Sequence, residues 1–442
     1  MNKLDIALKA ADETKAILIG AGVVEQTAAF FKKSFPGKRA VIIADSSTYP
    51  IAGKLIFDNL NVNGVKQDEP FIFNAEGLFA EYGFAQQLVD LLKQTDAIPI
   101  AVGTGSLNDM TKFAAFTTGR RYMCFGTAAS MDGYTAYGAS ITYNGVKQTF
   151  QCPAPLAWIG DTEIICAAPQ KLTAAGYADL IAKLTSGADW IISDELGIEP
   201  INKDVWDIVQ GCLPKALGNP KGIHDGDKEA IGNLVEGLIL SGFAMQAYKT
   251  SRPASGAEHQ FNTLWEMQHF NNHRISHGFQ VAIGTLSIIA MYEQALKEDM
   301  SAVDIDACCK AWPTAEELKV KALDMFEGTD FPKIGAKETA VKYVTKSQLA
   351  DRLALLKERW PIIAERLKKE LLTFDELKER LQTVGAPTKP EDIGMTREYL
   401  RSTYIRAQYI RRRFTVLDLG LITGNLDKWL NAIFGKGGRW EM

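Results

Sequence analysis

Apolar residues follow two rhythms along the 442-residue chain, and the change from one to the other divides it. From Ala16 to about Asp161, short contiguous apolar runs end in Gly, Ser or Asp. The clearest are Ala16-Ile17-Leu18-Ile19-Gly20, Ala40-Val41-Ile42-Ile43-Ala44-Asp45 and Ile98-Pro99-Ile100-Ala101-Val102-Gly103. Runs that short and that uniformly apolar are strands covered on both faces, and the helical stretches between them are the crossovers of a parallel sheet. From about Pro169 onward the spacing changes to three and four residues, as in 230–248, 276–297 and 315–327, which predicts helices. The expected architecture is α/β: an N-terminal parallel-sheet domain over 1–168, then an all-helical domain over 169–442. The stretch 333–382, rich in Lys, Glu and Leu, reads as amphipathic helices with a solvated face.

Composition narrows the function. With 46% hydrophobic and 23% charged residues the chain can bury large cores, and a net charge of −4 lacks the basic excess that nucleic acid demands. Six cysteines without a CxxC pair read as reduced thiols of a cytoplasmic protein. The first residues carry no apolar leader, and the longest apolar run, Val281 to Tyr292, is too short to span a bilayer. Small-molecule chemistry in the cytoplasm, without nucleic-acid or membrane partners, is the expectation.

Two glycine clusters follow strands. Gly20-Ala21-Gly22 is followed by Glu25 where a dinucleotide fingerprint has its third glycine, and it reads first as a tight turn. Gly103-Thr104-Gly105-Ser106-Leu107-Asn108-Asp109 opens a helix whose free N–H groups and positive end suit a pyrophosphate, with Ser106 as its cap. Asp45 is either a ribose acceptor, which would favour NAD over NADP, or the start of a turn into Ser46-Ser47. In the loop from Gly126 to Tyr134, Thr127 and Ser130 are candidates for the nicotinamide side of a cofactor, and Asp132 for a substrate hydroxyl.

Four of the five histidines lie between Glu258 and Gly278. Imidazoles with a carboxylate and one open position form a catalytic site for a divalent metal. Asp179, on a predicted helix, is the candidate carboxylate, with His259 and His277 as nitrogen ligands. Eighteen positions (277 − 259) separate those histidines, too many for one helical face, so two helices should each present one, with Ser276 capping the second. A rival set, His269, His273 and His277, steps by four and needs an unbroken helix through Asn271 and Asn272. His224 reads as a loop residue. Arg252 is either a phosphate ligand or a surface residue before Pro253. Arg411-Arg412-Arg413 reads as a solvated helix face or an oligomer contact.

Taken in order, Gly105-Ser106-x-x-Asp109, Thr127-x-x-Ser130-x-Asp132-Gly133, Ala174-Ala175-Gly176-x-x-Asp179, Ser255-Gly256-Ala257-Glu258-His259 and His277-Gly278 resemble the glycerol dehydrogenase and dehydroquinate synthase superfamily. Within it they are most similar to the sn-glycerol-1-phosphate dehydrogenases, in particular the bacterial AraM-like group. The resemblance implies a dehydroquinate synthase-like fold and NAD contacts from 105–109, Thr127 and Ser130. It also implies substrate contact at Asp132 and metal ligation by Asp179, His259 and His277. By the same resemblance, relatives usually have glycine where Thr104 stands, often a substrate-contacting histidine at Thr263, and in many cases glutamate at Phe279 and a cofactor-contacting serine at Ala136. The implied reaction is reversible, NAD-linked (NADP possible) reduction of dihydroxyacetone phosphate by an oligomer, with dimer the expectation, carrying one divalent ion, zinc or nickel. A dehydrogenase of unphosphorylated polyols, a cyclase and a non-catalytic nucleotide-binding protein are the alternatives.

Overall fold

The computed structural model describes residues 3–270 and 275–442. Six strands form one parallel sheet: β1 (Ala16–Gly20), β2 (Ala40–Asp45), β3 (Phe71–Phe73), β4 (Ile98–Gly103), β5 (Met123–Gly126) and β8 (Ala157–Asp161), in the order β1-β8-β5-β4-β2-β3. Alternate residues of β2 serve opposite faces. Ala40, Ile42 and Ala44 enter one core with Phe31, Ile56 and Ile100, while Val41 and Ile43 enter another with Leu88, Val89 and Met110. That two-sided burial is why the strand is apolar at every position, and each buried Ile or Val contributes about 1.5–3 kcal/mol over its exposed form.

Between β5 and β8 the chain makes an antiparallel hairpin of β6 (Ala139–Tyr143) and β7 (Val146–Phe150). Asn144 and Gly145 turn it with φ of 50° and 73°, the two positive values that a twist-matched two-residue turn requires. The hairpin was not expected from the strand rhythm, although Asn-Gly between alternating residues is the short-range signal for one.

Packing divides the chain into two compact units, Met1–Leu180 with Asp207–Ser251, and Ile181–Trp206 with Arg252–Met442. The sequence division at 168/169 falls elsewhere. Helix α5 (Lys228–Tyr248) packs on α1 (Lys3–Ala10) and on the turn at 133–135, so it joins the sheet unit. Among the described residues α5 alone is long and apolar enough to cross a bilayer, but 78% of its apolar window is buried, as in a core helix. The sheet unit also contains α2 (Gly105–Thr117) and most of α3 (Gln170–Ile181).

No strand follows Asp161 among the described residues, as the change of rhythm predicts. The second unit holds α4 (Lys183–Glu195), α6 (Ala257–Met267), α7 (His277–Ala295), α8 (Lys346–Glu370) and α9 (Val416–Ile422). Helix α8 buries Leu349, Leu353, Leu356, Trp360, Ile363 and Leu367, a single stripe, and Thr345 and Gln348 close its N-terminus reciprocally.

Three local readings are corrected. His224 lies in a short helix, Pro220–Asp225, started by Asn219 and Pro220 and stopped by Gly226 at φ 82°. Thr104, not Ser106, is the residue that precedes α2; Ser106 is already helical. Arg411 to Arg413 form no helix face, because they lie in the irregular segment that leads into α9.

Candidate active site

Neighbouring strands β2, β4 and β5 end at Asp45, Gly103 and Gly126, so three of the singled-out segments share the carboxyl edge of the sheet. That is where open parallel sheets bind ligands, beside the point at which the strand order reverses. β2 leads outward to β3, whereas β4 leads the other way to β5. After Gly103 the chain turns through Thr104 into α2. A side chain at Gly103 would meet Leu107 Cδ1 at 2.4 Å, and one at Gly105 would meet Met131 Cε at 3.0 Å. Neither position has room for a side chain, so the entry to the α2 N–H groups is lined by backbone there, which fits a pyrophosphate.

Several carboxylates on this edge hold the protein itself. Asp45 Oδ1 accepts from the N–H groups of Ser47 and Thr48, both at 2.8 Å, which is the turn geometry. Asp109 accepts from the buried Lys112 ammonium at 3.2 Å and from Ser140 N–H at 3.1 Å. Lys112 also donates to the carbonyls of Ala136 (3.0 Å) and Gly138 (2.8 Å), so it clamps the loop carrying Thr127, Ser130 and Asp132. Lys112 carries no sequence expectation, and a lysine one helical turn after Asp109 was its available sign. At the Gly20-Ala21-Gly22 turn, Asp161 takes the N–H groups of Gly22 (3.3 Å) and Val24 (2.9 Å), so those donors serve the fold.

Asp179 is completely buried on α3, and its Oδ2 accepts the backbone N–H of Asp132 at 3.0 Å. Ser241 on α5 donates to Asp132 Oδ2 at 2.8 Å. The small residues before Asp179 have a physical reason: a Cβ on Gly176 would stand 2.0 Å from the carbonyl oxygen of Ala129. Helix α3 therefore lies directly on the loop backbone, and Asp179 and Asp132 are fixed together.

In the second unit, α6 carries His259 and α7 begins at His277, two helices with one imidazole each. Ser276 caps α7, its Oγ accepting from Phe279 N–H at 3.4 Å. The two rings lie 5.4 Å apart between centroids. Their closeness rests on Gly284, where a Cβ would come within 2.8 Å of the Glu258 carbonyl oxygen, so the two backbones touch. Each ring turns Nδ1 to a carboxylate: His259 to Glu258 at 2.7 Å, and His277 to Glu266 at 3.7 Å. On His259 this leaves Nε2 for a ligand, the arrangement that orients metal-binding histidines; the His277–Glu266 separation is that of an ion pair, longer than a hydrogen bond. Although burial opposes it, the His259 imidazole and the Gly256 N–H hold the Glu258 carboxyl below its ordinary range. His269 sits past the end of α6 at φ 54°, beside Asp330 at 3.1 Å, and His273, Asn271 and Asn272 of the rival set lie outside the described residues.

Asp189 organises this unit. It is wholly buried and accepts from Ala257 N–H (2.7 Å), Val416 N–H (2.8 Å) and Tyr292 O–H (2.6 Å), joining the starts of α6 and α9 to α7. Burial and the nearby Glu258 charge push its carboxyl up to about 7. Arg252 is also fully buried, which excludes the surface reading. Its fork meets Glu199 at 3.2 Å and the carbonyls of Asp189 (2.9 Å) and Phe414 (3.4 Å). Thr263, half-buried one turn beyond His259, accepts from the exposed Arg411 at 3.5 Å.

Residues 18–169 match the model of a family described as iron-containing alcohol dehydrogenase. A glycerol-1-phosphate dehydrogenase [NAD(P)+] of Bacillus velezensis is 36% identical over 283 residues, 63% of this chain and 71% of that protein. The chain belongs to the glycerol-1-phosphate dehydrogenase family. A second member, from Halalkalibacterium halodurans, is 29% identical over 382 residues, covering 85% of this chain and 84% of the relative. Among solved structures, the glycerol dehydrogenase of Schizosaccharomyces pombe superposes with a TM-score of 0.60 at 20% identity, over 94% of this chain and 90% of that one, a likeness of fold. Members of this family are oxidoreductases, and a divalent metal and NAD(P) suit the fold and the donors described above.

Proposed function

We propose that this glycerol-1-phosphate dehydrogenase family member reduces dihydroxyacetone phosphate reversibly to sn-glycerol 1-phosphate with NAD(P)H, and that Asp179, His259 and His277 hold one divalent ion, zinc or nickel. The observation that carries the reading is the His259–His277 pair, 5.4 Å apart, each ring orienting Nδ1 toward a carboxylate. One carboxylate with two imidazoles is a donor set that leaves coordination positions open, as catalytic sites require. When bound there, the ion would supply Lewis acidity toward the C2 oxygen of the ketone, and the nicotinamide would supply the hydride.

The chain's own residues bind, orient and exclude water. The α2 N-terminus with Gly103, Gly105 and Ser106 would take the cofactor pyrophosphate, Asp45 the adenosine ribose and Thr127 and Ser130 the nicotinamide end. An acceptor at Asp45 would favour NAD over NADP. Asp132, held by Asp179 and Ser241, would accept from a substrate hydroxyl. Glu258 and Glu266 would keep the imidazoles in one tautomer and orientation. The net charge of −4, without a basic excess, supports a small-molecule substrate over nucleic acid.

The test follows NADH loss with dihydroxyacetone phosphate, dihydroxyacetone and glyceraldehyde 3-phosphate in parallel, after chelator treatment and after restoring zinc, nickel or iron singly. Turnover with dihydroxyacetone phosphate, lost with chelator and recovered with metal, is expected. Reduction of no ketone under any metal would refute the assignment.

A further inference from the structure

The irregular segment that ends in Thr415 runs alongside the first half of α6. Arg413 donates to the carbonyl of Ser255, and the Gln260 side chain donates to the carbonyl of Arg413 at 3.4 Å. Arg412 points elsewhere, into a two-pronged pairing with Glu338 at 3.0 Å on each side. With the two following residues anchored in this way, the Arg411 side chain is laid over Thr263, whose hydroxyl it meets at 3.5 Å while the residue stays exposed. Buried Arg252 is committed to Glu199 and to two backbone carbonyls, so Arg411 is the arginine of this group that faces outward with the weakest internal contact.

The surrounding charge is crowded and mixed: Arg252 and Arg413 lie on one side, and Glu338 and Glu266 are the carboxylates nearest Arg411. Desolvation, then Arg252 and Arg411, push the Arg413 guanidinium down to about 9, so a further positive charge is resisted beside it. Thr263 lies four residues after His259 on the same helix, one turn and about 6 Å along. That step is of the order of the separation between the C2 oxygen and the phosphate of a three-carbon phosphate ester.

We infer that Arg411, with the Thr263 hydroxyl beside it, is the specificity-determining ligand for the phosphate group of the substrate. The guanidinium offers a fork suited to two phosphate oxygens, and the Thr263 hydroxyl offers a further donor beside it. The inference rests on the proposed reaction, naming within it the residue that separates phosphorylated from unphosphorylated ketones.

Two measurements on the metal-loaded full chain separate this inference from the reaction itself. Steady-state kinetics of R411A, R411K and wild type should give R411A a KM for dihydroxyacetone phosphate raised about tenfold or more, the loss expected for a charge-assisted hydrogen bond. Its kcat and metal content should change little, with R411K intermediate and added guanidinium restoring part of the loss. Calorimetric titration with inorganic phosphate should show binding to wild type and none to R411A. An unchanged KM with phosphate binding retained in R411A overturns the assignment, as does joint loss of metal and phosphate, which would make Arg411 structural. Wild type that binds phosphate through Arg411 yet reduces no ketone would instead sink the reaction and leave this anion site standing.

Discussion

Glu258 Oε1 lies 2.7 Å from Nδ1 of His259, the next residue along the chain. Adjacent helical side chains ordinarily diverge, and this pair meets because Glu258 turns back to cap Gly256 N–H at 2.6 Å at the start of α6. Thr185 donates to its other oxygen at 2.9 Å. Glu258→Gln keeps the shape but removes the charge that makes the imidazole a better donor. Metal affinity should fall about 10–100-fold with thermal stability nearly unchanged. Competition with a chromophoric chelator measures it, and wild-type affinity in the variant would show that Glu258 is only a cap.

Glycines set how closely the site helices approach. Gly284→Ala places a methyl group 2.8 Å from the Glu258 carbonyl oxygen, a backbone atom that cannot swing aside. Strain of this kind costs about 1–3 kcal/mol, and a shift of about 1 Å between His259 and His277 could lower kcat about a hundredfold. Gly232→Ala on α5, with no atom within 4 Å of the new methyl, is the control and should be neutral or stabilising by up to about 1 kcal/mol. Thermal unfolding and kcat of the two variants test this, and equal behaviour would contradict the close-packing argument.

Asp189 gives the second unit a pH dependence. Its carboxyl, raised by burial and then by Glu258 to about 7, keeps its proton in the folded chain well above the ordinary 3.8 at which the unfolded chain releases it. Between those values the unfolded state binds fewer protons, so the stability this group contributes falls as pH rises from about 4 to 7 and levels off beyond. Asp189→Asn has no such slope, and it presents an amide N–H to one of the donors Ala257 N–H and Val416 N–H. It should cost about 1–3 kcal/mol. The stability gap between wild type and variant, from denaturant titrations, should narrow from pH 4.5 to 7; a constant gap would contradict the raised carboxyl.

Much of the fold was legible because burial on both faces leaves an unmistakable run, as at 40–45 and 98–103, and because two histidines eighteen residues apart that face one another need two helices. The hairpin at 139–150 was missed although Asn144-Gly145 announces it. Other features have no local signature. Arg252 looks like a surface arginine beside a proline, and only tertiary packing reveals that its fork satisfies carbonyls of distant segments. The placement of Arg411 over Thr263 depends on residues 148 positions apart. The membership of α5 in the sheet unit is hidden for a similar reason, since it has the periodicity of any buried helix and its allegiance is set by contact with α1 and 133–135.

The central claim is that one carboxylate and two imidazoles bind a single ion. Equilibrium dialysis of chelator-stripped protein against zinc or nickel, with metal quantified per chain, tests it most directly. Wild type should retain one ion per chain, and Asp179→Asn, His259→Ala and His277→Ala, each confirmed folded by circular dichroism, should each retain almost none. Full retention in any one of the three folded variants would contradict the site.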